Sequence, residues 1–150
     1  MATLSGTAAI ANTAIGEANA KQVVGKDVGQ PGTYLARVDS ELSNYGALWF
    51  DYHCKLQALA YPAILGTPYS DLPGTRREVS WRTGKDGSGN STTATGVSVS
   101  MQAPFIAGPL GASVRMACWG TIDSSGGVVY DYGLGVTAAT LTVLPVGSVQ

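Results

Sequence analysis

His53 is the only histidine in the chain, with Asp51 two residues before it and Lys55 two after. Residues two apart on an extended strand point the same way, so Asp51 and His53 could share a metal ion or act as an acid and base pair. Lys55 continues the row and sets a cation where a further ligand would stand. The row therefore reads as a polar outer face, with no metal and no cofactor. Cys54 and Cys118 are too few for a disulfide framework or a structural zinc site. By residue type they read as two small buried hydrophobes, and neither has the accessible, cationic setting that activates a catalytic thiol. Asp86-Gly87-Ser88-Gly89-Asn90 begins like a calcium loop, but Ser91 stands where the loop needs Gly and Val97 where it needs the bidentate Glu. No serine lies in G-x-S-x-G, and Gly25-Lys26 and Gly84-Lys85 lack the rest of a phosphate loop. A non-enzymatic protein is expected.

The aromatic residues form the second set. Alternation assigns Trp49, Tyr61 and Trp119 to outward positions, and Tyr130 and Tyr132 share one face beside Asp131. Outward Trp and Tyr can build a subunit interface or a sugar-stacking platform. They can also fill a second, weaker core under a crossing loop. The five are taken as interface or ligand candidates, with the interface preferred.

These residues are positioned by strands. From Leu48 to Ala60 every even position is apolar, while Asp51, His53, Lys55 and Gln57 fill successive odd ones, which is the period of a strand. Thr33 to Leu42 precedes it and Ser43-Asn44-Tyr45-Gly46 lies between, so the two are expected to form a hairpin. Residues 62–74 hold three prolines and two glycines, which marks a surface crossing. Val23 to Val28, Glu78 to Thr83, Val97 to Ala103, Val114 to Trp119, Val128 to Tyr132 and Ala138 to Leu144 supply further strands, with a mobile hairpin tip expected between the second and third of them. Residues 1–22 read as an extended arm or first strand that reaches to a neighbouring subunit. Residues 23–150 then form a single all-β domain, an antiparallel β-sandwich of about eight strands, jelly-roll-like.

Charged residues make up 13% of the chain, about half of the usual share of roughly 25%. The surface is therefore expected to be covered in part by other subunits. A net charge of −1 and a pI near 5.6 offer no basic field for nucleic acid. No apolar run reaches the roughly 18 residues of a membrane span, and no signal peptide is seen, so synthesis in a cytoplasm is expected.

The run Pro31-Gly32-Thr33-Tyr34-Leu35, followed by Ser43-Asn44-Tyr45-Gly46 and the cysteine-bearing strand Phe50 to Leu56, resembles the first half of a known type of protein. These are the trimeric jelly-roll sandwiches of the complement and tumour-necrosis-factor-like type, found in bacteriophage head-fibre and tail proteins and in bacterial surface proteins. Gly111 to Trp119 is similar to their late cysteine-bearing strand, and Ala139 to Val149 to their closing strand. The resemblance implies a homotrimer with one sheet of each subunit turned toward the threefold axis. It also implies that Cys54 and Cys118 are neighbours, which would permit a disulfide across the sandwich. No fibre shaft precedes the sandwich, so the expected role is that of a bacteriophage virion structural protein, decorating the head or associated with the tail, with other virion proteins as partners. A carbohydrate-binding or receptor-binding module, with a glycan as ligand, is the alternative.

Overall fold

The computed structural model describes residues 2–3, 8–9, 16–44, 49–82, 97–122 and 134–146. Two antiparallel sheets face each other. The first runs β1 (Ala2–Thr3), β10 (Leu134–Pro145), β4 (Gly32–Asn44), β8 (Val97–Ala107), with β2 (Ala8–Ala9) also on β10. The second runs β3 (Lys21–Val28), β9 (Ala112–Ile122), β5 (Trp49–Ala60), β6 (Ser70–Asp71), with β7 (Arg77–Arg82) also on β5. A 3₁₀ turn, Glu17–Asn19, precedes β3.

The alternation of side chains decides which face meets the other sheet. On β5, Tyr52, Cys54 and Leu56 point inward, and on β9, directly opposite, Val114, Met116 and Cys118 do the same. On the facing sheet Ala36, Val38, Leu42, Met101, Phe105 and Leu141 close the core. Each large side chain so buried contributes about 1.5–3 kcal/mol, so this interleaved layer, and not any surface ion pair worth about 0–1 kcal/mol, holds the sheets together. Between Val136 and Ala138 the register slips by one residue. The bulge changes the parity of β10 and keeps Val136, Ala139 and Leu141 all inward. β8 tolerates Pro104 because it is an edge strand.

The expected hairpins do not form. β4 and β5 lie in different sheets, as do β7 and β8, because the face that each must bury is matched by a strand distant in sequence. Residues 83–96, where the mobile hairpin tip was expected, lie outside the described residues, and so does the expected strand at 128–132. Of residues 1–22, the described pieces β1 and β2 pair with the chain's own β10.

Cys54 and Cys118 are bonded to each other. They are register partners on β5 and β9, so the disulfide ties adjacent strands of one sheet and does not cross the sandwich. In the same core the hydroxyl of Tyr52 has no hydrogen-bond partner, and burial pushes its pKa up.

Candidate functional site

The row Asp51, His53, Lys55, Gln57 does lie on the face of β5 away from the core, but it is not bathed in solvent. β9 brings Trp119 opposite His53, Ala117 opposite Lys55 and Arg115 opposite Gln57. β6 and β7 form one interrupted edge strand along β5, and residues 72–76 bulge out between them. Thr75 ties that bulge down. Its buried hydroxyl donates to the Leu72 carbonyl at 2.7 Å and accepts from the Leu56 N–H at 3.1 Å. The 3₁₀ turn packs on β9 from the other side, and the Gly16 N–H donates to the Gly120 carbonyl at 2.9 Å.

Beneath these two straps sits Trp119, only 2% exposed. His53 stacks on its ring, with centroids 5.1 Å apart and planes 11° from parallel. The Arg76 guanidinium lies 5.1 Å and the Lys55 ammonium 5.4 Å from the ring centroid. The expectation that Trp119 is an outward anchor is therefore corrected. Its face was assigned rightly, but two segments of its own chain cover it, which is the weaker outer core under a crossing loop.

Lys55 is buried as well, and its charge is met on two sides. Its Nζ lies 2.8 Å from a Glu17 carboxylate oxygen and 2.8 Å from one of Asp71. Arg76 shares the same Glu17 oxygen, and Gln57 donates to Asp71 at 2.8 Å. Next along the face, Gln57 accepts from Arg115 at 3.0 Å, and Arg115 stands 3.9 Å over the Tyr69 ring. His53 approaches Thr121 at 3.0 Å and Glu78 at 3.8 Å. Charged groups thus latch the straps onto the sheet, and the row read as polar surface is corrected to a covered polar layer.

The latch titrates. The Lys55 hydrogen bond holds Glu17 below its ordinary value of 4.5. Burial opposes ionisation of Asp71, but hydrogen bonds from Lys55 and Gln57 outweigh it and hold the group below its ordinary 3.8. Burial likewise opposes charge on Lys55, yet its two carboxylate partners raise its pKa above 10.5. Depressed carboxylates stabilise the fold fully above their unfolded pKa values, and that stability is lost as pH falls through the folded ones. Below about pH 4.5 the thermal midpoint should therefore fall, and more steeply in the wild type than in a Glu17→Gln, Asp71→Asn variant. Equal slopes in a calorimetric pH series would remove the latch.

Of the remaining candidates, only Tyr61 has a described side chain, and it stands apart from Trp119. Tyr61 is half-buried at the end of the sandwich and lines a polar recess of about 330 Å³ with Gln22, Lys26, Tyr69 and Ser113. Trp49 opens β5 opposite Arg82, its side chain being outside the described residues, as are Tyr130 and Tyr132. No cluster of three metal-ligating side chains occurs among the described residues. The recess beside the latch, lined by Lys55, Asp71, Leu72, Thr75 and Arg76, encloses about 280 Å³, below the roughly 300–1,000 Å³ of ligand pockets. Its charged walls are engaged with each other. Among the described residues no helix is long and apolar enough to cross a membrane.

Taken together, strand order, opposed sheets and closed core define a jelly-roll β-sandwich. The solved structure of Eiger TNF from S. frugiperda superposes on 99% of this chain and 93% of its own, with a TM-score of 0.51 and 8% identity. At that identity the likeness is one of fold. No protein-family model matches the sequence, and neither does any curated protein.

Proposed function

We propose that this chain is a non-enzymatic structural protein that assembles as a homotrimer through the outer face of the β10-β4-β8 sheet and serves on the surface of a bacteriophage particle. One observation carries the choice of face. Around Trp119 and Lys55 the outer side of the β3-β9-β5 sheet is covered by its own chain, whereas no described segment covers the outer side of the other sheet, which is apolar at one end. Register places Leu144, Leu35 and Pro104 in one row across three strands. Thr33 and Ile106 stand in the next row, where Val146 donates its N–H to the Thr33 carbonyl at 2.8 Å. Ile106, Leu144 and Val146 are all exposed. Beyond them the face turns polar through Thr142, Arg37 and Gln102, then Thr140, Asp39 and Ser100. An exposed apolar patch passing into a polar border is what a subunit interface offers.

The low charge content of the whole chain and the resemblance at Pro31 to Leu35 support the particle setting. The sugar-platform reading loses its main anchor with Trp119 buried. In the recess beside Tyr61, the Tyr69 hydroxyl is spent on Ser113 at 2.9 Å.

Light scattering on the purified chain should give a mass that is a multiple of three chains of 15.4 kDa. Leu144→Arg, which sets a charge in the apolar row, should abolish the threefold multiple while leaving the circular dichroism unchanged. A wild-type monomer at every concentration sinks the trimer. Antibody to the chain that fails to label particles in electron micrographs sinks the virion role.

A further inference from the structure

On one side of the sandwich the two sheets end in β7 and β8, an edge strand of each. Arg77 is the register partner of Cys54, so its side chain starts toward the interior, and from an edge strand it passes out through this open side. It is held there by the backbone. Its Nε donates to the Ser100 carbonyl at 3.3 Å, and its Nη1 donates to the Gly74 and Arg76 carbonyls at 2.9 and 3.0 Å. A guanidinium has five N–H donors, so the pair on Nη2 remains. Across the gap Arg37 on β4 faces outward beside its register partner Gln102 on β8. Asp39 takes the Arg37 Nε at 3.2 Å, and among the described residues nothing engages Nη1 or Nη2.

Arg37, Arg77, Ser100, Met101 and Gln102 line a recess of about 290 Å³. No carboxylate of the described residues lines it. The other recesses that hold a cation are balanced: Asp71 stands with Lys55 and Arg76 in one, and Asp27 with Lys26 in another. The carboxylates nearest along the strands are turned elsewhere. Asp39 accepts from the Ser100 hydroxyl at 2.8 Å and lines the neighbouring recess with Glu41. Glu78 turns to the outer face of β5, 3.8 Å from His53. Asp39 offsets the charge of Arg37 in part, whereas Arg77, bonded to carbonyls alone, keeps its charge whole.

We infer that this recess binds a tetrahedral oxyanion, a phosphate or sulfate group. The free end of Arg37 presents two parallel N–H groups that match two oxygens of such a group. Nη2 of Arg77 meets a third oxygen from the opposite sheet, and the Gln102 amide adds a donor beside it. A carboxylate has only two oxygens to offer. The volume falls short of the roughly 300–1,000 Å³ of whole-ligand pockets but holds a single oxyanion with its waters. Because Arg77 is already anchored, binding costs it little freedom. Arg37 and Gln102 also belong to the polar border of the proposed trimer face, but the site is complete within one chain and does not rest on that reading.

Nuclear magnetic resonance titration of the isotope-labelled chain provides the test, with sulfate, inorganic phosphate, glycerol phosphate or acetate added at constant ionic strength against NaCl. Sulfate and phosphate should move the Nε–Hε signals of Arg37 and Arg77 and saturate at one anion per chain, with acetate at least about tenfold weaker. Arg37→Gln and Arg77→Gln should each weaken binding at least about tenfold, while Lys26→Gln, which removes a cation from another recess, should leave it unchanged. Unchanged circular dichroism shows that each variant is folded, and Arg37, with 60% of its side chain exposed, is the substitution that disturbs the fold less. Glycerol phosphate binding more tightly than phosphate assigns a group carried as an ester on a larger molecule, and the reverse order assigns the free ion. The site is overturned if the shifts never saturate, if acetate binds as tightly as sulfate, if both arginine variants keep the wild-type affinity, or if Lys26→Gln loses as much as they do. Light scattering on the same samples tells the two readings apart, since a mass that is no multiple of three chains removes the trimer and leaves the anion site standing.

Discussion

Trp119→Ala will lower the unfolding free energy by about 3–5 kcal/mol, the range for removing a buried large aromatic, out of a total that for a domain of this kind is about 5–15 kcal/mol. The loss has more than one source. The ring buries its surface beneath the 72–76 bulge and the 3₁₀ turn, it stacks on His53, and it offers its face to Arg76 and Lys55. An aromatic contact of this sort adds about 0.5–1.5 kcal/mol beyond burial, and a cation over a partly desolvated ring adds about 0.5–2 kcal/mol. Without the ring, Lys55 and Arg76 keep Glu17 as partner but lose the surface that they lie on. Trp119→Phe should recover much of the loss, because it restores an aromatic face with less area. Urea unfolding of the three proteins provides the measurement. A drop below about 1 kcal/mol for Trp119→Ala, in the range of an exposed site, would mean that the straps do not cover the ring in solution.

The difference between what the sequence disclosed and what it hid can be traced along β5. Its alternation marked Tyr52, Cys54 and Leu56 as inward, and they are buried; the period of a strand is a local property that any window of the chain carries. The same alternation placed His53, Lys55 and Gln57 on the other face, and they are there. What it could not disclose is that Glu17, 38 residues before Lys55, and Asp71, 16 after it, fold over that face. Both lie in segments with no periodicity, and their pairing with Lys55 exists only once β9 and the interrupted edge strand are in place. The only local hint was chemical, an unpaired lysine in the middle of a strand that is otherwise dry on one side. Strand pairing was hidden for a related reason. β4 and β5 are neighbours in sequence and read as a hairpin, but each has an inward row that closes against the other sheet, and a jelly-roll places such consecutive strands in opposite layers. Ile64 and Leu65 were in plain view as apolar residues in a proline-rich crossing, yet their exposure is a fact of three dimensions.

Replacing both Cys54 and Cys118 with alanine should cost about 2–4 kcal/mol, most of it through the unfolded chain. The two residues are 64 apart in sequence, and closing a loop of that length removes about 4 kcal/mol of unfolded-state entropy in the chain-entropy account. In the folded state the bond adds little order, since β5 and β9 are already paired from Phe50 to Ala60. For a domain of this size the loss corresponds to a fall in thermal midpoint on the order of 5–15 °C. Both cysteines are buried, so a reductant cannot reach the sulfurs until the sandwich opens. Thiol titration of the native protein in dithiothreitol should therefore remain near zero until the temperature approaches the midpoint, and then rise together with the unfolding signal. Chain made in a reducing cytoplasm, where such bonds are rare, would emerge as the dithiol and gain the missing stability only after exposure to an oxidant. If protein shown by thiol titration after unfolding to be the dithiol melts at the same temperature as the oxidised form, the bond contributes nothing to the fold, and the core formed by Leu56, Met116 and Val114 around it carries β5 and β9 alone.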